Sequence, residues 1–171
     1  MNIEVRQGDI FASRSMNWLG KSIRWFQRFK STDREAEYNH VGIIIDDKGT
    51  TYEALKKIKR QNLFKAYKGE KVLIVRYSEM TPEVFQKGFD SVKGDENEIY
   101  PWYRLILHAF GGSRRIHFTG NKVCSEVVGC FQYYSGMVTL AGKNYYGLTP
   151  DNHVDEWRIS RHASIVFEGV L

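Results

Sequence analysis

The sequence predicts an α+β fold in which a small antiparallel β-sheet packs against helices. Three observations carry this prediction: a β-hairpin over residues 38–54, a continuous apolar strand at Lys71–Tyr77, and helical patterns that begin near Thr81 and Cys124. Hydrophobic residues make up 42% of the 171 residues, far from the composition of disordered chains. At this length we expect one domain, residues 1–171, with one core.

The predicted hairpin is YNHVGIIIDDKGTTYEA, two β-favouring runs on either side of a turn cluster. If the turn pairs Asp46 with Gly49, then Gly42 lies opposite Glu53. Because side chains alternate along a strand, one face then carries an imidazole and a carboxylate with room between them. The residues predicted to share that face are His40, Gly42, Thr51, Glu53 and Leu55.

The other strands and the first helix are predicted from local composition. Ile3–Val5 alternates and predicts an edge strand, and Gly8–Phe11 predicts a turn that enters a second short strand. Met16–Phe29 has apolar residues on one arc and basic residues opposite, which predicts a basic amphipathic helix. Lys56–Arg60 is strongly charged, which is typical of a solvated loop or an edge strand. Lys71–Tyr77 is apolar enough to be buried on both faces.

Helix signals dominate the second half of the chain. Thr81 can cap a helix whose first position suits Pro82, and this helix is expected to run to about Val92. Cys124–Tyr134 repeats apolar residues at helical spacing, and Gly136 is its expected end. The remaining predictions are a helix at Tyr100–Phe110, a loop at Gly111–Gly120, a turn at Leu148–Asp151 followed by a short polar segment, and a strand at Ile165–Phe167.

Cys124 is the candidate nucleophile. Its sulfur falls on the inward stripe of its helix and in the first turn, where unpaired amides and the positive end of the dipole favour a thiolate. His40 would then carry the proton, and Glu53 would bind the other ring nitrogen. The Cys124 backbone N–H is a natural oxyanion donor because first-turn amides are unpaired. Candidates for a second oxyanion or substrate contact are Tyr38, Tyr100 and Asn121.

Each of the three residues also has a structural explanation. Cys124 could fill a core, His40 could be a sheet histidine with its hydrogen bonds satisfied, and Glu53 could face solvent. Cys124 and Cys130 lie six apart on one helix and point away from each other, which predicts two free thiols. No metal or other cofactor is expected, because the cysteines and histidines lack the short paired spacings of zinc sites.

Four short motifs follow one another in a specific order: Gly8–Phe11, Tyr38–Ile43, Tyr52–Ala54 and Val123–Val128. In that order they resemble the circularly permuted papain-like hydrolases of the NlpC superfamily, in particular its YiiX-like branch. The resemblance implies a permuted papain-like fold in which histidine precedes cysteine. It also implies that His40 is the base, Glu53 its orienting partner and Cys124 the nucleophile, with Asp9 structural.

The residues and the resemblance together predict a cysteine peptidase or amidase that cleaves an amide bond through a thioester at Cys124. Peptidoglycan stem peptides are the first substrate class that we expect. The sequence shows neither an apolar stretch long enough to span a membrane nor a secretory signal, which predicts synthesis in the cytoplasm. A phage protein delivered to the cell wall is one origin that fits such an enzyme.

Two other functions stay open at this stage. An acyltransferase or a lipid or thioester hydrolase would use the same three residues, with the helix Met16–Phe29 touching a membrane. A non-catalytic binding module would keep the fold and dock an anionic polymer through Lys56–Arg60. The net charge of +5 is spread over several elements rather than one face, so a nucleic-acid partner is not expected. The sequence does not predict an oligomeric state.

Overall fold

The computed structural model describes residues 3–14, 36–55, 57–96, 122–137 and 148–171. Six strands form one antiparallel sheet in the spatial order β4-β3-β2-β1-β5-β6. The strands are β1 (Ile10–Arg14), β2 (His40–Ile44), β3 (Thr50–Ala54), β4 (Ile58–Asn62), β5 (Lys71–Tyr77) and β6 (Ala163–Val170). Residues 58–60 of the charged segment belong to the edge strand β4, one of the two structures that the sequence predicts, and the apolar run at Lys71–Tyr77 lies inside the sheet.

The hairpin adopts the predicted register. Ile43 pairs with Tyr52 and Ile44 with Thr51, and this ladder places Gly42 beside Glu53. Local chemistry explains the turn: one carboxylate oxygen of Asp46 accepts the backbone N–H groups of residues 48 and 50, both at 2.9 Å. The turn ends at a glycine with a φ of 76°, a conformation in which other residues are strained.

Four α-helices and one 3₁₀ turn accompany the sheet in the part of the chain that the structure describes. They are α1 (Leu63–Ala66), α2 (Pro82–Asp90), the 3₁₀ turn at Lys93–Asp95, α3 (Cys124–Ser135) and α4 (Pro150–Ile159). Thr81 caps α2 as predicted, because its hydroxyl accepts the Val84 amide at 3.3 Å. Gly136 ends α3 with a φ of 78°, also as predicted. Together the elements make an α+β fold.

The four inner strands of the sheet, β1, β2, β3 and β5, are mostly buried on both faces, whereas much of the edge strand β6 is exposed. Helices α2, α3 and α4 pack on one face, around side chains that include Val41, Ile43, Tyr52, Leu73 and Val75. The opposite face packs Phe11, Ile44, Leu63, Tyr67 and Ile74 into a second, smaller cluster. His40 and Glu53 belong by alternation to the second face, and they lie at the end of the sheet where β2 begins.

Two sequence predictions are wrong. Ile3–Val5 is not a strand, and β1, the strand that follows it in the chain, already pairs with β2 and β5 on its two edges. Leu148–Asp151 is not a turn, because Thr149 caps a ten-residue helix, α4, whose first residue is Pro150. Thr149-Pro150-Asp151 repeats the helix-start signal of Thr81-Pro82-Glu83.

Other sequence predictions lie outside the described residues: the helices at Met16–Phe29 and Tyr100–Phe110 and the loop at Gly111–Gly120. No helix in the described ranges is long and apolar enough to cross a membrane.

Candidate active site

His40 and Glu53 form a buried pair across the hairpin. Nε2 of the imidazole lies 2.5 Å from Oε2 of the carboxylate. Glu53 is fully buried and His40 is 7% exposed. A buried charge is costly unless it is paired and hydrogen-bonded, so this contact requires that both groups be satisfied by their neighbours.

Three further donors surround the Glu53 carboxylate. The hydroxyl of Thr51 donates to Oε1 at 2.5 Å, and the side-chain amide of Gln61 donates to the same oxygen at 3.0 Å. The hydroxyl of Tyr67 donates to Oε2, beside His40. Burial alone raises the pKa of the Glu53 carboxyl, but the interactions with His40, Thr51 and Tyr67 outweigh burial and hold the pKa below its usual range. Glu53 is therefore an anion with a fixed orientation.

Cys124 is the second side chain that interacts with the His40 imidazole. The sulfur lies within hydrogen-bonding and Coulomb range of the imidazole. Burial lowers the pKa of His40, but the hydrogen bonds and charges of Cys124 and Glu53 outweigh burial and raise this pKa to about 10. The arrangement therefore favours an imidazolium beside the Glu53 carboxylate.

The first turn of α3 presents unpaired amides next to the sulfur. Within the described residues, the backbone N–H groups of Cys124 and Ser125 have no hydrogen-bond acceptor. The Val123 amide is instead occupied by the Glu126 carboxylate, which reaches back to it at 3.2 Å. Two free N–H groups at a helix start provide both partial positive charge and donors for a developing oxyanion.

Aromatic rings and one glycine hold the His40 ring in place. Tyr67 stacks on the imidazole with 6.1 Å between centroids, and Phe11 meets it edge-on at 6.0 Å. A Cβ on Gly42 would lie 2.6 Å from the Phe11 ring and 2.9 Å from Cβ of Glu53. Gly42 thus leaves the space that both neighbours fill, as the sequence predicts for the position between imidazole and carboxylate.

Tyr38, the one described residue among the candidates for a second oxyanion contact, has no free donor. The Tyr38 hydroxyl donates to Glu168 at 2.8 Å, and its backbone N–H points to Asp151 at 3.4 Å, so neither donor is free. Tyr100 and Asn121 lie outside the described residues. The amide of Ser125 is the second donor that this geometry offers in their place.

Cys130 and Asp9 have contacts that serve the fold rather than the candidate active site. Cys130 is a free thiol, as predicted, and it packs in the core with its sulfur 3.6 Å from the Ser91 hydroxyl. Asp9 is buried and forms two hydrogen bonds of 2.8 Å with the Arg76 guanidinium. Asp9 also accepts the Arg6 amide at 2.8 Å, which fixes the turn into β1.

Comparison with known proteins identifies the fold. The chain superposes on the crystal structure of the metalloprotein yiiX from Escherichia coli O157:H7, a DUF1105 protein, with a TM-score of 0.66. The match covers 98% of this chain and 99% of the other, at 19% sequence identity. The chain has the yiiX fold. Neither a protein-family model nor a curated protein sequence matches this chain.

Sequence reasoning placed Thr51 on the site's face but did not identify Gln61 or Tyr67 as members of the site. A signal existed for Gln61: once β4 is accepted as the partner of β3, Gln61 falls opposite Thr51 and on the face of Glu53. No local pattern marks Tyr67, which lies in the turn after α1 and reaches Glu53 only through the packing of the second face.

Proposed function

We propose that this protein is a cysteine hydrolase that cleaves an amide bond, with Cys124 as nucleophile, His40 as general base and acid, and Glu53 as the orienting partner. One observation carries the proposal: the buried imidazole of His40 interacts with both the Cys124 side chain and the Glu53 carboxylate. A core cysteine or a structural histidine would need only one of these contacts. Acyl transfer requires a nucleophile, a base and donors for an oxyanion, and the unpaired amides at the start of α3 supply the donors.

The proposed reaction has two steps. The Cys124 thiolate attacks the carbonyl carbon, and the amides of Cys124 and Ser125 stabilise the resulting oxyanion. His40 gives its proton to the departing nitrogen, so that the C–N bond breaks, an amine leaves and a thioester remains. His40 then takes a proton from water as the water oxygen attacks the thioester; the C–S bond breaks, the acid product leaves, and the Cys124 thiolate is restored beside the protonated His40. Glu53 stabilises the imidazolium throughout.

A metal does not fit this set of residues. The yiiX protein is described as a metalloprotein, yet the described part of this chain has no cluster of three histidine, cysteine or acidic side chains that could hold a metal ion. Both oxygens of Glu53 already accept hydrogen bonds, and Nε2 of His40 is bound to one of them. A cation here would have to displace these donors, so we derive no step through a metal.

For the fold we propose the circularly permuted papain-like arrangement of the NlpC superfamily. Its support is the order of the chain, in which β2 brings His40 before α3 brings Cys124, together with the antiparallel sheet on which α3 packs. For the substrate we propose a peptide amide of the kind found in peptidoglycan stem peptides. The motif order supports this class, and the described residues supply the mechanism rather than the specificity.

The decisive experiment compares the two cysteines. Wild-type protein, Cys124→Ala and Cys130→Ala are treated with iodoacetamide at neutral pH, and the labelled peptide is identified by mass spectrometry. We expect Cys124 to be labelled in the wild type and in Cys130→Ala, because the imidazolium favours its thiolate. Peptidoglycan fragments are then supplied, and Cys124→Ala should release no new amine.

Two results would contradict the proposal. Labelling that occurs at Cys130 and not at Cys124 would return Cys124 to a core role. Equal release of amine by Cys124→Ala and by the wild type would exclude a covalent thioester. Product analysis with an added amine acceptor separates hydrolysis from acyl transfer, since only a transferase would make the new amide.

A further inference from the structure

Helix α4 touches both halves of the candidate active site. It begins at Pro150 and is capped by Thr149, whose hydroxyl accepts the Asn152 amide at 3.2 Å. Its first turns carry two polar side chains, Asp151 and His153, that are 2% and 1% exposed. Both side chains bind the backbone of other segments, and the proposed chemistry uses neither of them.

His153 binds the segment that carries the nucleophile. Its Nε2 lies 2.9 Å from the carbonyl oxygen of Ser125, the residue after Cys124. A carbonyl oxygen only accepts, so Nε2 carries the proton and the ring is neutral; burial lowers the pKa of His153 to about 4 and keeps it so. Nδ1 has no partner among the described residues, so the bond to Ser125 is the one polar contact of this ring.

Asp151 binds the segment that leads into His40. Its Oδ1 accepts the backbone N–H of Glu37 at 2.9 Å and lies 3.4 Å from that of Tyr38. Further along the same helix, Arg158 pairs with the Glu37 carboxylate at 2.9 Å. The approach to β2 is thus tied to α4 by a backbone contact and by a side-chain ion pair.

We infer that α4 positions Cys124 against His40, with His153 and Asp151 as positioning residues. This inference rests on the proposed function, because it concerns the geometry of that site. The two reacting side chains sit on different elements, α3 and β2, and an active site needs its groups held to within about 0.5 Å. A displacement of about 1 Å can cost about a hundredfold in rate. One helix that binds the backbone next to Cys124 and the backbone two to three residues before His40 supplies such a constraint.

The test uses two variants of His153 whose side chains both end in an amide but differ in length. In His153→Gln the side-chain N–H can occupy the position of Nε2 and donate to Ser125, whereas in His153→Asn it is too short. We expect iodoacetamide to label Cys124 in His153→Gln at close to the wild-type rate, and in His153→Asn about tenfold more slowly. The labelling rate is also measured across pH, and its pH profile in His153→Gln should match the wild type while that in His153→Asn should not.

A second pair tests the other half of the site. Asp151→Asn keeps the accepting oxygen and Asp151→Ala removes it, so only the alanine variant should slow labelling. Ile159→Ala is the control on the same helix, because that side chain is 72% exposed. Thermal unfolding is measured for every variant. A loss of stability alone would not move the pH dependence of labelling in the folded protein.

The titration of the His40 ring, followed by NMR, separates failure of this inference from failure of the proposed function. If α4 positions the pair, His40 titrates at lower pH in His153→Asn than in His153→Gln, whether or not Cys124 turns over a substrate. Wild-type labelling that is no faster at Cys124 than at Cys130 would reject the function alone. Unchanged His40 titration and unchanged labelling in both His153→Asn and Asp151→Ala would overturn the role of α4.

Discussion

Replacing Glu53 with glutamine removes the negative charge at Nε2 of His40 while it keeps the shape of the side chain. In the wild type, Cys124 and Glu53 together raise the pKa of His40 to about 10 against the effect of burial. A hydrogen bond to a charged group contributes about 1.5–3 kcal/mol, and one pKa unit corresponds to about 1.4 kcal/mol. We therefore expect the His40 titration to move down by about one to two units in Glu53→Gln.

Glu53→Gln should also change how the free energy of unfolding depends on pH. An unfolded histidine titrates near 6.5, so the stabilisation from the raised pKa of His40 is complete below that pH and is lost as the pH rises toward 10. The carboxyl of Glu53 has a lowered pKa, so its contribution is present above its ordinary value of 4.5 and is lost as the pH falls below it. The difference in the free energy of unfolding between wild type and Glu53→Gln should therefore be largest between about pH 4.5 and pH 6.5.

NMR titration of the His40 ring and urea unfolding at pH 6 and pH 10 measure these effects. We expect the variant to be less stable by about 1.5–3 kcal/mol at pH 6, with a smaller difference at pH 10. An identical His40 titration in both proteins would refute the reasoning, because it would mean that Glu53 does not stabilise the imidazolium. A stability difference that grows with pH would refute the assigned charge states.

Two further substitutions test the surroundings of the pair. Tyr67→Phe removes one donor to Glu53 but keeps the ring that stacks on His40. We expect it to slow iodoacetamide labelling of Cys124 about tenfold, because a charge-assisted hydrogen bond is lost. The control is Tyr134→Phe, at a side chain that is 47% exposed, and it should leave the labelling rate unchanged. Gly42→Ala places a methyl group 2.6 Å from Phe11 and should lower the free energy of unfolding by about 1–3 kcal/mol, measured with urea. Gly94→Ala meets nothing within 4 Å, and an equal loss there would contradict this explanation.

Local chemistry explains which features could be predicted from the sequence. The hairpin register follows from a turn whose Asp46 side chain binds its own backbone, and once the register is set, alternation places Gly42 beside Glu53. The start of α2 follows in the same way from a threonine cap and a proline at the first position. The same signal stands at Thr149, but the residues after it are polar and favour a turn and a polar segment, so the sequence does not predict α4.

The sequence by itself determined the α+β class, the hairpin, and the identity of the three residues that we propose as the site. These depend on interactions between residues close in the chain and on the order of short motifs. Tertiary structure alone decided that the Cys124 sulfur meets the His40 ring, that Tyr67 and Gln61 complete the shell around Glu53, and that α4 binds both halves of the site. The physical reason is separation: these contacts join residues from different elements, and only the packing of helices on the sheet brings them within hydrogen-bonding distance.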